Sequence, residues 1–443
     1  MRGWTLSFAA LMTDAGGFPD ATPATGPLWA GQEAIWLSSQ LDPTSGWNSV
    51  TYRLEMERPI RMETVQAALD HLVSRHHTLR TRYVQRDGWL TQEISEPYSV
   101  QTRLCDFGTR PDTDASFSPT LDPPSTLRAV IEIENDGARA CSLLAHHVAV
   151  DATSMVILAG DFASHCAGEV RPAVADTYID WVLRARQACA GEKALRLHHY
   201  WAMQLQNSPP PTEWTPATGA PHFSRREVIP LPSEITASLR VVSRSYEVSL
   251  FTLLLAGCYK FLCRISSAPS FVFVIPVSLR DEPAARSVGY FVNMIPLILQ
   301  DIPSTTTREL CVGIAAKLQV AREHRYFPFQ AIVQLAKPER RPGRPPLGQV
   351  MVNLTKCEDV AFGNNQITVD RIVSQGSAYD VSIDFILKNG ELTGVFRVPD
   401  RMSAVVGSDA LAANFLDALV AIIHGAASTP SASVFQKPSG SWV

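Results

Sequence analysis

No two cysteines of this chain stand at C-x-x-C spacing; Cys105, Cys141, Cys166, Cys189, Cys258, Cys263, Cys311 and Cys357 are scattered along it. That argues against a disulfide framework or a zinc site, and a reduced, cytoplasmic compartment fits best. Positive charge is not in excess either: 39 Lys and Arg against 43 Asp and Glu give a formal net charge of -4. Without a basic footprint to neutralise phosphates, nucleic acid is not expected as a partner. Nor does any stretch approach the ~20 uninterrupted apolar residues of a membrane span, so a soluble protein is expected. The start, MRGWTLSFAALM, carries one positive charge and a short apolar run. Asp14 breaks that run and no convincing small-residue cleavage site follows, which argues against a signal peptide.

What is present is ample core material. Hydrophobic residues make up 46% and charged residues 19% of 443, the balance of an ordinary globular protein. The length exceeds the roughly 100 to 200 residues of a single domain, so two domains or a duplicated architecture are expected. Residues 13 to 27 are rich in Gly, Pro, Thr and Ala and read as a flexible lead-in. Pro209, Pro210, Pro211, Pro216 and Pro221 mark a linker over 207 to 222, and KPERRPGRPP from Lys337 to Pro346 reads as a basic loop. The Ser/Pro-rich tail after Ala426 is expected to be disordered.

Between these breaks, helix-like and strand-like segments alternate, which points to α/β layers. Val65, Leu69, Leu72 and Val73 predict an amphipathic helix over 62 to 76. Ala129 to Glu134 and Cys141 to His147, joined through Asn135-Asp136-Gly137, predict a hairpin. Met155, Leu158, Ala159, Phe162 and Cys166 predict a helix beginning near Asp151. Another buried helix is predicted over 248 to 261, with strands at 271 to 276, 349 to 354 and 380 to 386.

The segment SLLAHHVAVDATS, Ser142 to Ser154, is the informative one. An apolar strand delivers His146 and His147 to its end, with Asp151 four residues after the second. Adjacent strand residues point to opposite faces, so the two imidazoles cannot serve one pocket. Three readings remain open from the residues alone: a satisfied core pair, a metal site that lacks an evident third ligand, and a catalytic base with an orienting acid. Asp151 also fits a helix N-cap. His76-His77 and His198-His199 lie on predicted helices and read as surface or packing residues.

H-H-x-x-x-D at a strand end resembles the core motif of nonribosomal-peptide condensation domains, relatives of chloramphenicol acetyltransferase. Other segments are similar to the same family in the same order: Gly31 to Trp36 with Gln40 to Pro43, Arg75 to Tyr83, Pro276 to Arg280, Gly289 to Leu297, Phe327 to Phe329, Gln349 to Asn353 and Tyr379 to Ser382. The resemblance covers about residues 28 to 425. It implies an α/β fold of two acetyltransferase-like lobes in a V-shaped pseudo-dimer, with an active-site tunnel between them. The lobes would span 28 to 206 and 223 to 425, after a lead-in of 1 to 27 and before a tail of 426 to 443. Gly289 to Asn293 would belong to a crossover flooring the tunnel, and the region 349 to 380 would include a latch over it.

By the same resemblance, His147 is the catalytic residue and His146 packs away from the tunnel. Asp151 pairs with Arg280 to shape the site. Ser154, Asn293 and Tyr379 are candidate tunnel or support residues. Ala152 stands where the family usually has glycine, and a methyl group there is expected to narrow the tunnel or weaken the site. No cofactor is expected to be bound; a phosphopantetheine arm arrives on acyl or peptidyl carrier proteins. With no adenylation, carrier or thioesterase segment in the sequence, a free-standing condensation enzyme is implied, joining a carrier-bound acyl group to an amine. Alternatives are ester formation on a hydroxyl or free small-molecule acceptor, direct use of acyl-coenzyme A, and a non-catalytic carrier-docking module. Gly289 to Asn293 looks like the condensing rather than the epimerising type.

Overall fold

The computed structural model describes residues 24–427 except 43–47, 87–88, 110–116, 122–125, 175–176, 207, 211–223, 267, 301–305, 339–346, 364, 374–376, 378 and 400–407. Its strands are β1 (Thr25–Pro27), β2 (Ser49–Ile60), β3 (Thr81–Arg86), β4 (Trp89–Ile94), β5 (Gln101–Asp106), β6 (Leu127–Glu134), β7 (Gly137–His146), β8 (Ser224–Pro230), β9 (Phe271–Ser278), β10 (Val292–Leu299), β11 (Val350–Cys357), β12 (Val360–Phe362), β13 (Asn365–Ile372), β14 (Val381–Lys388) and β15 (Glu391–Pro399). Two six-stranded open sheets carry the fold, in the orders β12-β13-β2-β7-β6-β5 and β10-β9-β11-β14-β15-β8. Each anchors one α/β lobe, and a small β1-β4-β3 sheet joins the first.

Local chemistry explains the elements that set the site. Asn135 and Asp136 both take positive φ, 49° and 60°, the two-residue I′ turn that closes β6 on β7. Helix Met62–Arg75 buries Val65, Leu69, Leu72 and Val73 completely, and burying such side chains contributes roughly 1.5 to 3 kcal/mol each. In the second lobe, Phe261, Phe385, Phe396 and Phe415 interlock between the sheet and helices Leu250–Ser266 and Ser408–Ala427. The strands predicted at 271, 349 and 380 are β9, β11 and β14.

Two boundaries differ from expectation. Thr25 to Pro27, placed in the flexible lead-in, form β1, because they find a hydrogen-bonding partner in β4 through Pro27 opposite Thr91. The second lobe over 223 to 425 is also interrupted: β13 leaves it and pairs with β2, from Ile367 opposite Met56 to Ile372 opposite Thr51. An unpaired β2 edge would otherwise leave a row of backbone groups bare. The lead-in up to residue 23, nearly all of the proline linker, the basic loop after Pro338 and the tail after Ala427 lie outside the described residues. No single described helix is long and apolar enough to cross a membrane.

Candidate active site

β7 ends at His146, one residue earlier than predicted, and the chain turns through His147 to Ala149. The turn aims the neighbouring imidazoles apart. His146 Nδ1 accepts from the Val148 N–H at 3.2 Å, which places its proton on Nε2, facing Ser39 Oγ at 3.2 Å. Ser39 in turn donates to the Ile35 carbonyl. Burial, with the charge of His147 adding to it, pushes the His146 pKa down to about 3, so this imidazole is neutral.

His147 is held the other way round. Its Nδ1 lies 2.8 Å from the Val150 carbonyl and must donate to it, leaving a lone pair on Nε2 that no described residue uses. Its backbone N–H donates to the Asn48 carbonyl at 2.7 Å. Burial lowers its pKa, only partly offset by the Val150 carbonyl, so the ring is a neutral acceptor at neutral pH. Tyr290 of the second lobe meets the ring edge-on, 5.2 Å between centroids. The partly exposed imidazole therefore sits at the seam of the lobes.

Asp151 fills both roles open to it. As N-cap of helix Ala152–Cys166, its Oδ1 accepts from Ser154 N at 2.7 Å. The carboxylate also takes Arg280 Nη2 at 3.1 and 3.3 Å and the Phe291 N–H at 3.2 Å. Arg280 Nη1 donates to the Ala284 and Ser287 carbonyls, and its guanidinium lies 3.9 Å over the Phe291 ring. Ser154 Oγ bridges the cluster, donating to the Gly289 carbonyl at 2.8 Å and accepting from Gly289 N and Arg280 Nη2. Gly289 has no room for a side chain, since a Cβ would stand 2.1 Å from Tyr178. These bonds pin the second-lobe segment Gly289 to Phe291 onto the first lobe.

Asn293 braces the next turn. Its Nδ2 donates to the Arg325 and Phe327 carbonyls at 2.7 and 2.8 Å, and its Oδ1 accepts from Phe329 N, the first residue of helix Phe329–Ala336. Burial raises the Tyr290 pKa, and Tyr379 lies near enough to add to that rise, which puts Tyr379 in the neighbourhood of the ring that meets His147. Ala152 is the first residue of its helix and is not among the positive-φ residues, so no backbone conformation demands glycine there. His76, read from the sequence as a helical surface or packing residue, is a packing one: it stands at the C-cap of its helix and is buried, with Nε2 2.7 Å from Asp161 Oδ2. Asp161 also holds Arg75 and Arg171, and so joins the end of helix Met62–Arg75 to the segment after its own helix.

Sequence reasoning missed three contributors: Tyr290 against His147, Asn48 under its backbone, and Gln32, whose Nε2 donates to the Val148 carbonyl at 3.0 Å. Asn48 had no signal, because its amide is buried with no described partner and its contact is through backbone.

Two open-sheet α/β lobes with a histidine pair at their seam define a two-lobed, acetyltransferase-like class. The family model described as "Condensation domain" matches residues 24–434, and the chain belongs to that family. Malpinin synthetase of Mortierella alpina is 24% identical over 75% of this chain, which spans only 5% of that protein's length. The first condensation domain of the calcium-dependent antibiotic synthetase, solved with a substrate analogue, superposes with a TM-score of 0.76 at 20% identity, covering 93% of this chain and 98% of that one. The epimerization domain from the third module of tyrocidine synthetase B shares the fold as well, with a TM-score of 0.72 at 17% identity over 91% of this chain and 97% of that one.

Proposed function

We propose that this condensation domain moves an acyl or aminoacyl group from a carrier-protein phosphopantetheine thioester to an amine, forming an amide. The observation that carries the reading is the neutral His147, with Nδ1 committed to Val150 and Nε2 left as an acceptor at the seam. An α-amine, with a pKa near 8, must lose a proton as its nitrogen bonds to the thioester carbon. His147 Nε2 takes that proton or orients the amine for attack, and the pantetheine sulfur leaves as the tetrahedral intermediate collapses. Asp151, Arg280 and Ser154 act at one remove, by fixing Gly289 to Phe291 and with them Tyr290 against the imidazole. His146 anchors the turn from its opposite side. Tyr379 and Asn293 support the wall and floor of the same space. The helical backbone at Ala152 favours a working site over a degenerate docking module.

Single-turnover transfer from a loaded carrier to a panel of amines and alcohols, comparing wild type with His147→Ala, tests this. A fall of about 10² or more with an unchanged melting temperature is expected, the scale of a lost positioned acid/base group. Equal rates in the two proteins, or carrier binding without any discharge of its thioester, would remove the catalytic reading.

A further inference from the structure

A second polar cluster crosses the seam, and the roles assigned above do not use it. Arg371 on β13 stands opposite Tyr52 of β2, which stands opposite Leu143 of β7, the strand that runs on to His146 and His147. From there Arg371 reaches into the second lobe. Its Nη1 donates to Thr355 Oγ1 at 2.7 Å and Asp384 Oδ1 at 3.3 Å. Asp384 is shared, since Oδ1 also takes Asn353 Nδ2 at 3.2 Å and Oδ2 takes Arg397 Nη1 at 2.9 Å. Asn353, Thr355, Ser382 and Asp384 fall on one face of the parallel β11–β14 pair, where Asn353 is opposite Asp384, so the second sheet turns a polar strip toward Arg371.

Among the described residues, only Nη1 of the Arg371 guanidinium has partners. No described residue accepts from Nε or Nη2, and neither atom is among the sealed, unpartnered ones. These two nitrogens form the planar fork that matches a carboxylate. The molecule shows what such a fork does when filled: Arg53 holds both oxygens of Glu132 through its own Nε and Nη2, at 2.6 and 2.9 Å. The Arg371 side chain is 18% exposed, against 3% for Asp384 and 4% for Arg397, so it is the accessible charged member of the cluster. Its positive charge also lies near enough to His147 to disfavour protonation there.

Resting on the acyl-transfer reading, we propose that the Nε/Nη2 fork of Arg371 binds a carboxylate carried by a substrate, and selects for it. The phosphate of a pantetheine arm is separated from its sulfur by the whole length of the arm. An anion close to His147 therefore belongs to the acyl group or to the acceptor. A carrier-bound aminoacyl acceptor has its α-carboxyl tied up as the thioester. The sources left are an acceptor with a free acid, such as a free amino acid, and a dicarboxylic acyl donor.

The test compares matched pairs. Free amino acids against their amides serve as acceptors, and succinyl- against butyryl-pantetheine as donors, each with wild type, Arg371→Lys and Arg371→Gln. Wild type should favour the acid member of one pair by at least about tenfold in kcat/KM, a preference that falls in Arg371→Lys and collapses toward unity in Arg371→Gln. The arm showing the effect identifies acceptor or donor. A preference that survives Arg371→Gln, or that wild type never shows in either arm, overturns the proposal. Calorimetric titration with succinate and succinamide keeps the two readings separable if no transfer is detected. Succinate binding by wild type that is lost in Arg371→Gln, with the variant still folded at the assay temperature by circular dichroism, upholds the carboxylate site while transfer fails; binding by neither protein sinks it.

Discussion

Of the arginine–aspartate pairs that cross from one lobe to the other, Arg280–Asp151 and Arg371–Asp384 are built to different ends. Around Asp151 and Arg280 the bonds close inward: both carboxylate oxygens and both Nη atoms are engaged, an aromatic ring lies under the guanidinium, and only Nε lacks a partner, sealed from solvent. Around Asp384, Arg371 is tied by one nitrogen and keeps an accessible edge. An ion pair that is closed on every side holds a shape, whereas one with unused, reachable donors can meet a ligand. The distinction comes from counting hydrogens rather than from charge, which is the same in both pairs.

Unfolding measurements can sharpen or break that contrast. Asp151→Asn leaves the Arg280 guanidinium buried without its counter-charge and should lower the urea-unfolding free energy by about 3 to 5 kcal/mol. Arg371→Gln leaves Asp384 bonded to Arg397 and Asn353, so its cost should be smaller, about 1 to 2 kcal/mol. Equal costs for the two variants would erase the difference drawn between the pairs.

A more gradual effect concerns pH. His146 has a folded pKa near 3, below its ordinary 6.5, so the unfolded chain takes up a proton that the folded one refuses. Stability is then full above about pH 6.5 and falls as pH drops from there toward 3, by on the order of 1 kcal/mol per pH unit from this ring. Urea midpoints measured across that window should slope less steeply in His146→Gln than in wild type, the other buried histidines keeping part of the slope; parallel slopes would deny His146 the effect. The smallest change expected is Ala152→Gly, about 0.5 to 1 kcal/mol destabilising through helix entropy, with transfer activity retained. A large gain in activity would show that the methyl group obstructs the seam after all.

Legibility followed range. Asn135-Asp136-Gly137 specified its turn, the spacing of Val65, Leu69, Leu72 and Val73 specified a helix, and Asp151 announced an N-cap, because each signal acts over a few residues. The family's motif series carried the two-lobed architecture and the Asp151–Arg280 pair, which no local rule contains. The pairing of β13 with β2 was not readable, and neither β13 nor Arg371 was singled out from the sequence. The partner of His76 escaped for the same reason, since Asp161 lies 85 positions away.

The pairing of β13 with β2 also orders events at synthesis. Arg58 N and Asn365 Oδ1, 307 positions apart, are 3.1 Å from each other in the finished molecule. A growing chain therefore presents the whole β2, β7, β6, β5 array to solvent or to chaperones long before the strand that closes its open side is made. The first sheet is complete only when β13 has joined it, and the residues that complete it bring Arg371 with them. Assembly of the scaffold and delivery of the guanidinium are one event, so a chain that has not finished folding also lacks the group proposed to select its substrate.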